Sequence, residues 1–531
     1  MSKKSVAFIL NLHLPYVRHL EYPRFLEEDW LYESISESYL PMLRMLYKLR
    51  EEKVPYSLTI SISPTIMCML TDEALQNRFN SYLELNRELG EKEIVRCAAE
   101  QPEFLEMAQF YLDQLKQNLT DFNDLYRGNI LEGFKSLEAS GHLELITTAA
   151  THAFLPLYQE YPTAINAQVE LAVQAFLTTF GHVPKGFWLP ECGYYPGLEE
   201  TLKSHGITWF QVASQSMLLS PDKVRYGDYR PIRCPNGVAA FPRDYQATSL
   251  VWSNTSGYPC DRNYREFYRD IGYDLPMEYI GEYIHEPEVR VFTGFKYWAI
   301  TGNTDQKHPY DRTTAQKKIV EHAHNFLFNL KRKGDVLSAS MGKDPLYTLG
   351  FDAELFGHWW FEGVDWLEQV LVLSGREEEE VTLVTPSSFM AKEGDTFQVA
   401  RPAFSSWGAG GYSSVWLDGS NAWTYRHIHK AIERMEELSV RFSDQISLKQ
   451  RFLNQAAREV LLAMASDWPF ILYNKTSSEY AQKRLVDHLR NFNVVYGNMC
   501  KNAVNTEWLV KAEKRDILFP DIDYNIFNPE R

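Results

Sequence analysis

Short apolar runs alternate with longer amphipathic stretches through most of the chain, and the spacing of each predicts its element. Residues 5–14 read as a first buried strand with His13 at its end. Residues 29–53 then set Leu40, Leu43, Leu46, Tyr47 and Leu49 at helical intervals, and residues 56–63 alternate polar and apolar positions as a second strand. A long helical stretch, residues 65–139, carries no chemistry and reads as scaffold. Residues 143–149 form a third strand followed by His152, while Glu144 inside that strand reads as a structural carboxylate bonded to its neighbours. Residues 164–180 are helical, and Gly181 ends them as a C-cap. The next run, GFWLPECGYYPG (186–197), starts as a strand and meets a lone acid, Glu191, where the apolar residues stop. Strand and helix in alternation, with polar groups after the strands, predict a parallel barrel.

Beyond Glu191 the pattern becomes irregular from about residue 192 to 261, with short strands expected at 209–213 and 238–241. The segment FPRDYQATSLVWSNTSGYPCD (241–261) is rich in Ser and Thr and reads as a surface loop. Its place after the Glu191 strand, with Tyr245 and Trp252 in it, makes it a candidate mobile lid. Residues 264–274 are predicted helical, with Arg265 and Arg269 one turn apart and pairing with nearby acids in the plainer reading. A strand at 292–301, a basic amphipathic helix at 311–332, a strand at 346–351 ending in Asp352 and a last barrel strand at 381–387 follow. After about residue 392 the texture changes. SSWGAGGYSSVWLDGSNAW (405–423) is Gly- and Ser-rich, and three helices follow at 422–438, 448–466 and 477–500. This divides the chain into a catalytic barrel, 1–400, and a helical C-terminal region, 401–531, capping its cleft. Asp467 is expected at the end of the second helix, where the dipole disfavours an acid, so its placement points to a use. Trp407 and Trp416 have glycines about them and little bulk to pack on, which argues for exposed rings.

Composition narrows the function. The chain has 531 residues, 45% of them hydrophobic, which is long for one compact domain and enough for a large core. Its 54 basic against 70 acidic side chains give a formal charge of -16, which argues against nucleic acid or an acidic membrane as partner and is compatible with a neutral polymer. Six scattered cysteines without a CxxC pair lend little support to zinc clusters or disulfide frameworks, so reduced thiols in a cytoplasm are expected. The opening MSKKSVAFILNLHLPYV is too short an apolar run, broken by Asn11 and His13, to read as a signal peptide. No stretch has the length of a bilayer span, so a soluble protein is expected.

The candidate chemistry rests on two acids. Carboxylates avoid full burial unless paired or used, although Glu191 alone reads equally well as a loop residue accepting backbone hydrogen bonds. A second stretch, LYTLGFDAELFGHWWFEG (346–363), shifts the balance: a strand again ends in an acid, Asp352, followed by Glu354, His358, Trp359 and Trp360. Two strand-exit acids with aromatic neighbours point to a sugar site. Glycoside chemistry uses one carboxylate as nucleophile or base and another as proton donor, and aromatic faces stack on pyranose rings.

WLPECGY (188–194) and GFDAELFGHWWFEG (350–363) resemble the third and fourth signature motifs of glycoside hydrolase family 57, specifically of its 1,4-α-glucan branching enzymes. LHLPYVR (12–18), GHLELITTAATHAFLPL (141–157) and SSWGAGG (405–411) agree, in the family's order, and the similarity runs through almost the whole chain. The resemblance implies an α/β fold, an incomplete parallel (β/α)7 barrel with an inserted subdomain and a C-terminal helical domain. It implies a retaining enzyme that cleaves α-1,4 bonds and transfers the chain to a 6-hydroxyl of glycogen or an amylose-like glucan, with no cofactor and no metal. The roles of Glu191 as nucleophile and Asp352 as acid/base are carried over from it, because the residues themselves do not order the two.

The same resemblance places His13 and His152 beside the innermost sugar, with Leu14 where many members have glutamine. It makes Tyr245 the best match for a lid tyrosine whose absence is associated with hydrolysis. Arg265, Tyr273 (where the family often has tryptophan), Trp407, Trp416 and Asp467 complete the expected substrate contacts. Alternatives are an α-amylase or 4-α-glucanotransferase of the family, a zinc-dependent deacetylase or mannosidase using His13, His152 and His358, and a non-catalytic glucan-binding protein. The zinc class usually has aspartate two residues after the first histidine, where this chain has Pro15. A binding protein has no need of both acids.

Overall fold

The computed structural model describes residues 4–253, 255–285, 289–376 and 380–531, so Asn254 of the expected lid lies outside the described residues. The strands are β1 (Lys4–Leu12), β2 (Leu58–Ile62), β3 (Leu143–Thr148), β4 (Gly186–Trp188), β5 (Trp209–Val212), β6 (Ile232–Arg233), β7 (Ala239–Pro242), β8 (Leu346–Asp352), β9 (Val381–Leu383) and β10 (Gln398–Val399). Their order in the sheet is β10-β6-β7-β5-β4-β3-β2-β1-β8, with β9 beside β1. From β7 to β8 every neighbouring pair is parallel, and β6 alone runs antiparallel to β7. The curl stays open between β7 and β8 except for one bridge, Arg243 to Thr348, beside which the Asp244 N–H donates to the Thr348 carbonyl at 2.8 Å. This is the incomplete parallel barrel, with helices outside it and a helical C-terminal region.

The strands form where they do because both faces are covered. β1, KSVAFILNL, is buried almost throughout, and parallel strands under helices read as continuous apolar runs for that reason. Ala7, Ile9, Ile146, Trp188, Trp209, Ala239 and Phe241 pack together as one cluster. Gly350 in β8 is required by close approach, since a Cβ there would lie 2.3 Å from the Gln211 side chain. Register then gathers the polar strand ends, with Asn11 opposite both Ser61 and Asp352. Glu144 accepts from the Trp209 indole at 3.0 Å and the Ser387 N–H at 3.2 Å, the structural task expected of it.

Four expectations are corrected. Residues 241–261 are not an irregular loop: Tyr245–Trp252 is a helix whose N-cap, Asp244, accepts from the Ala247 N–H at 2.7 Å and pairs with Lys333 at 2.8 Å. Residues 264–274 are helical only over Ile271–Asp274, because the Arg265 backbone bridges to Ala299 instead. Residues 292–301 make such isolated bridges and no sheet strand. Asp467 opens the helix Asp467–Asn474 rather than closing the one before it, so its charge lies where the dipole favours it.

The C-terminal helices dock through a buried ionic network. Glu459 takes hydrogen bonds from His488 at 2.7 Å and Arg515 at 3.1 Å, and Arg515 also holds Asp516. Arg484 and Tyr480 extend the network to His19. Glu459, His488 and Asp516 lie close enough to suggest a cation site, but guanidinium groups already occupy their lone pairs and a metal does not fit. Among the described residues no helix is long and apolar enough to cross a membrane.

Candidate active site

Beyond β4 the chain turns sharply. Glu191 and Cys192 both adopt left-handed backbone conformations, at φ 62° and 51°. Such residues cost about 1–3 kcal/mol each and persist only where the surroundings over-determine them. Here the restraint comes from distant parts of the chain. The Trp407 N–H donates to the Glu191 carbonyl at 2.9 Å, and the Trp407 indole donates to Oε2 of its carboxyl at 2.8 Å. Ser466 donates to Oε1 at 3.0 Å, and His152 Nδ1 lies 3.8 Å from the same oxygen.

The two motif histidines stack face to face, ring centroids 3.8 Å apart. His13 Nε2 meets both oxygens of Asp467 at 3.2 Å. His152, itself left-handed at φ 55°, has Nδ1 on the Ser466 hydroxyl at 3.1 Å and Nε2 3.5 Å from the Asn11 amide. Burial, reinforced by His13, holds His152 well below the usual imidazole range, so it stays neutral.

Asp352, at the end of β8, faces the same group of residues. Burial raises it to about 6, against the lowering effects of His13, Arg243 and an Asn11 hydrogen bond. Burial and then the charge of Asp352 raise Glu191 to about 8, against the hydrogen bonds from Trp407 and Ser466. The two carboxyls therefore titrate within each other's field and share a single proton near neutral pH; with no sugar bound it rests on Glu191, the group raised further, and has to pass to Asp352 before Glu191 can act as a carboxylate. Arg243, just past β7, donates to the Gly350 carbonyl at 2.9 Å and lies 5.1 Å from the Trp407 ring. It lines, with Trp407, Tyr245, Gln215 and Tyr412, a cavity of about 440 Å³.

His13, His152, Trp407 and Asp467 are thus brought to the two acids. Tyr245 stands 68% exposed on the first turn of its helix and lines the same cavity as Trp407. Trp416 is a core residue, contrary to expectation: it stacks on Phe154 at 4.7 Å and is 1% exposed. Gly408 makes this possible, since a Cβ there would lie 2.5 Å from the Trp416 ring, so the flanking glycines admit the tryptophan instead of leaving it bare. Arg265 is buried, donates to the Tyr111 hydroxyl at 3.2 Å and lies over Phe361, lining a different cavity of about 310 Å³ that shares no residue with the first. Tyr273 is half-exposed against Phe292. Neither is brought to the acids. Trp359 is exposed and meets Trp252 edge-on at 6.0 Å, while Trp360 is buried. The three histidines of the zinc alternative do not converge, because His358 Nδ1 is bound to Glu37 at 2.7 Å.

Sequence reasoning missed Asn11, Arg243 and Ser466. Asn11 was within reach, since two residues before His13 it shares that residue's face of the strand. Ser466 directly precedes Asp467, and Arg243 follows an apolar run as the acids do.

Acids gathered at the C-terminal ends of parallel strands, one held by an indole and a hydroxyl, form the centre of a glycoside-processing enzyme. Residues 7–400 match glycosyl hydrolase family 57, and residues 427–527 match the region described as 1,4-alpha-glucan branching enzyme, C-terminal. The chain belongs to glycoside hydrolase family 57. It is 32% identical to a 1,4-alpha-glucan branching enzyme of Thermococcus kodakarensis, over 97% of this chain and 77% of that one. It is 41% identical to the α-amylase AmyC of Thermotoga maritima, with a TM-score of 0.92 and 99% of each chain covered. With the branching enzyme of Pyrococcus horikoshii it shares 31% identity and a TM-score of 0.89, over 99% of this chain and 97% of that one.

Proposed function

We propose that the protein is a retaining 1,4-α-glucan branching enzyme. In this reading residues 1–400 carry the catalytic barrel and residues 401–531 complete its cleft. Glu191 attacks the anomeric carbon, forming a glycosyl ester as the α-1,4 bond breaks, while Asp352 gives its proton to the departing 4-oxygen. Asp352 then takes the proton of an incoming 6-hydroxyl as that oxygen displaces Glu191, leaving an α-1,6 branch. A retaining pair works at a carboxyl separation of about 5 Å. The observation that carries the reading is the pair of donors on Glu191: Trp407 and Ser466 each hold one of its two oxygens and so fix where the carboxyl points, and both come from the C-terminal part of the chain.

Water, a 4-hydroxyl and a 6-hydroxyl all compete for the same ester, so the product depends on water exclusion and acceptor orientation. Tyr245 and Trp407 face that task in their shared cavity. Tyr245→Ala should lower the ratio of new branches to new reducing ends by about tenfold, with total bond cleavage little changed. An unchanged ratio would remove Tyr245 from the account.

Hydrolysis is the second reading, favoured by the 41% identity to a protein described as an α-amylase. Incubation with amylose, counting α-1,6 linkages against reducing ends, separates the two: many branches with few new ends mean branching, the reverse an amylase. Six unbridged cysteines agree with a reducing cytoplasm, where a glycogen-like store is the substrate at hand.

The shared proton sets the pH dependence. Below about 6 both acids are protonated and no carboxylate attacks; above about 8 both are ionised and nothing protonates the leaving oxygen. The profile of kcat/KM should be a bell between those limbs, with the two values belonging to the pair. Activity still climbing beyond the upper limb would contradict a protonated acid.

A further inference from the structure

We propose that Glu354 is a positioning residue for Asp352, a strut that locks the loop directly following the acid to the π-helical turn Ser34–Tyr39. This rests on the reading of Asp352 as acid/base. The loop after β8 leaves the sheet, so the sheet ladder no longer holds it in place. What holds it is a π-helical turn, Ser34–Tyr39. Such one-residue insertions redirect consecutive side chains and recur at functional sites.

Here three neighbours in that turn reach the loop together. Ser38 donates to the Ala353 carbonyl at 2.9 Å, the Tyr39 hydroxyl donates to the Glu354 carboxyl, and Glu37 accepts from His358 at 2.7 Å. Gly357, at φ 105°, presses so closely on Glu37 that a Cβ would lie 2.0 Å from its carbonyl oxygen. Glu354 is 3% exposed, and the Tyr39 hydroxyl is the group that holds its carboxyl. Burial, with the charge of Asp352 contributing against the Tyr39 hydrogen bond, raises it to about 8.

The test compares amylose with maltosyl fluoride in the presence of azide. Fluoride leaves C1 without a proton as the bond to Glu191 forms, and azide then displaces Glu191 without a base, so neither step needs Asp352. Tyr39→Phe and Glu354→Ala should lower kcat on amylose by about 10- to 100-fold at constant KM, yet lower the fluoride-plus-azide rate by less than about threefold. Glu354→Gln keeps an acceptor for Tyr39 and should restore kcat on amylose to within a few-fold. An equal loss on both substrates, or no loss on amylose, would overturn the strut. Asp352→Asn, measured alongside, keeps the two readings apart. If it is not rescued, the acid/base reading fails and this one with it; if it is rescued while Glu354→Ala is not, the strut alone is refuted.

Discussion

Glu191→Gln is expected to lower kcat on amylose by about 10⁴-fold or more, for branch formation and hydrolysis alike. The amide has the shape of the carboxyl and still accepts from Trp407 or Ser466, so the left-handed turn and the docking of the C-terminal segment should survive. What disappears is the anion that forms the ester. Both products come from that ester, so both must fall together, while glucan affinity changes by no more than a few-fold. That combination excludes a binding protein, for which Glu191 would be incidental. Loss of branching with hydrolysis intact would show that water is activated elsewhere.

Asp352→Asn should cost about 10²- to 10⁴-fold on amylose, the usual contribution of general acid–base catalysis. The loss should depend on the leaving group, because an alkoxide departs poorly without a proton whereas fluoride does not need one. Stereochemistry gives a second readout. With Glu191 intact, azide meets an ester already inverted once, so Asp352→Asn should yield the α-glycosyl azide. With the nucleophile removed, as in Glu191→Ala, azide attacks the α-fluoride directly and should yield the β-azide. The opposite pairing of variant and anomer would exchange the roles of the two acids.

Much of this site was readable along the chain because parallel strands covered on both faces leave unbroken apolar runs, and the groups that follow those runs collect at one end of the barrel. His13, His152, Glu191 and Asp352 were placed in that way. What resisted reading depended on partners remote in sequence or on local capping. Trp416 looked exposed among its glycines because Phe154, its stacking partner, lies in another part of the chain. Asp467 looked like a helix end because the apolar period before it was strong, yet Pro469 two residues later marks the first turn of a new helix. Asp244 is an N-cap whose helix was hidden in a Ser- and Thr-rich stretch. Arg265 was assigned to a helix that its backbone bridge to Ala299 forbids. The π-turn at Ser34–Tyr39 continues an ordinary amphipathic pattern, and nothing in that pattern announces the inserted residue.

The central claim is that Glu191 bonds to the sugar while Asp352 moves the proton. Its most direct test is to trap the ester with a 5-fluoro-α-glucosyl fluoride, digest the protein and locate the added mass. Label on Glu191, within the peptide containing WLPECGY, is the expected result; label on Asp352, or turnover with no ester formed on either acid, would contradict it.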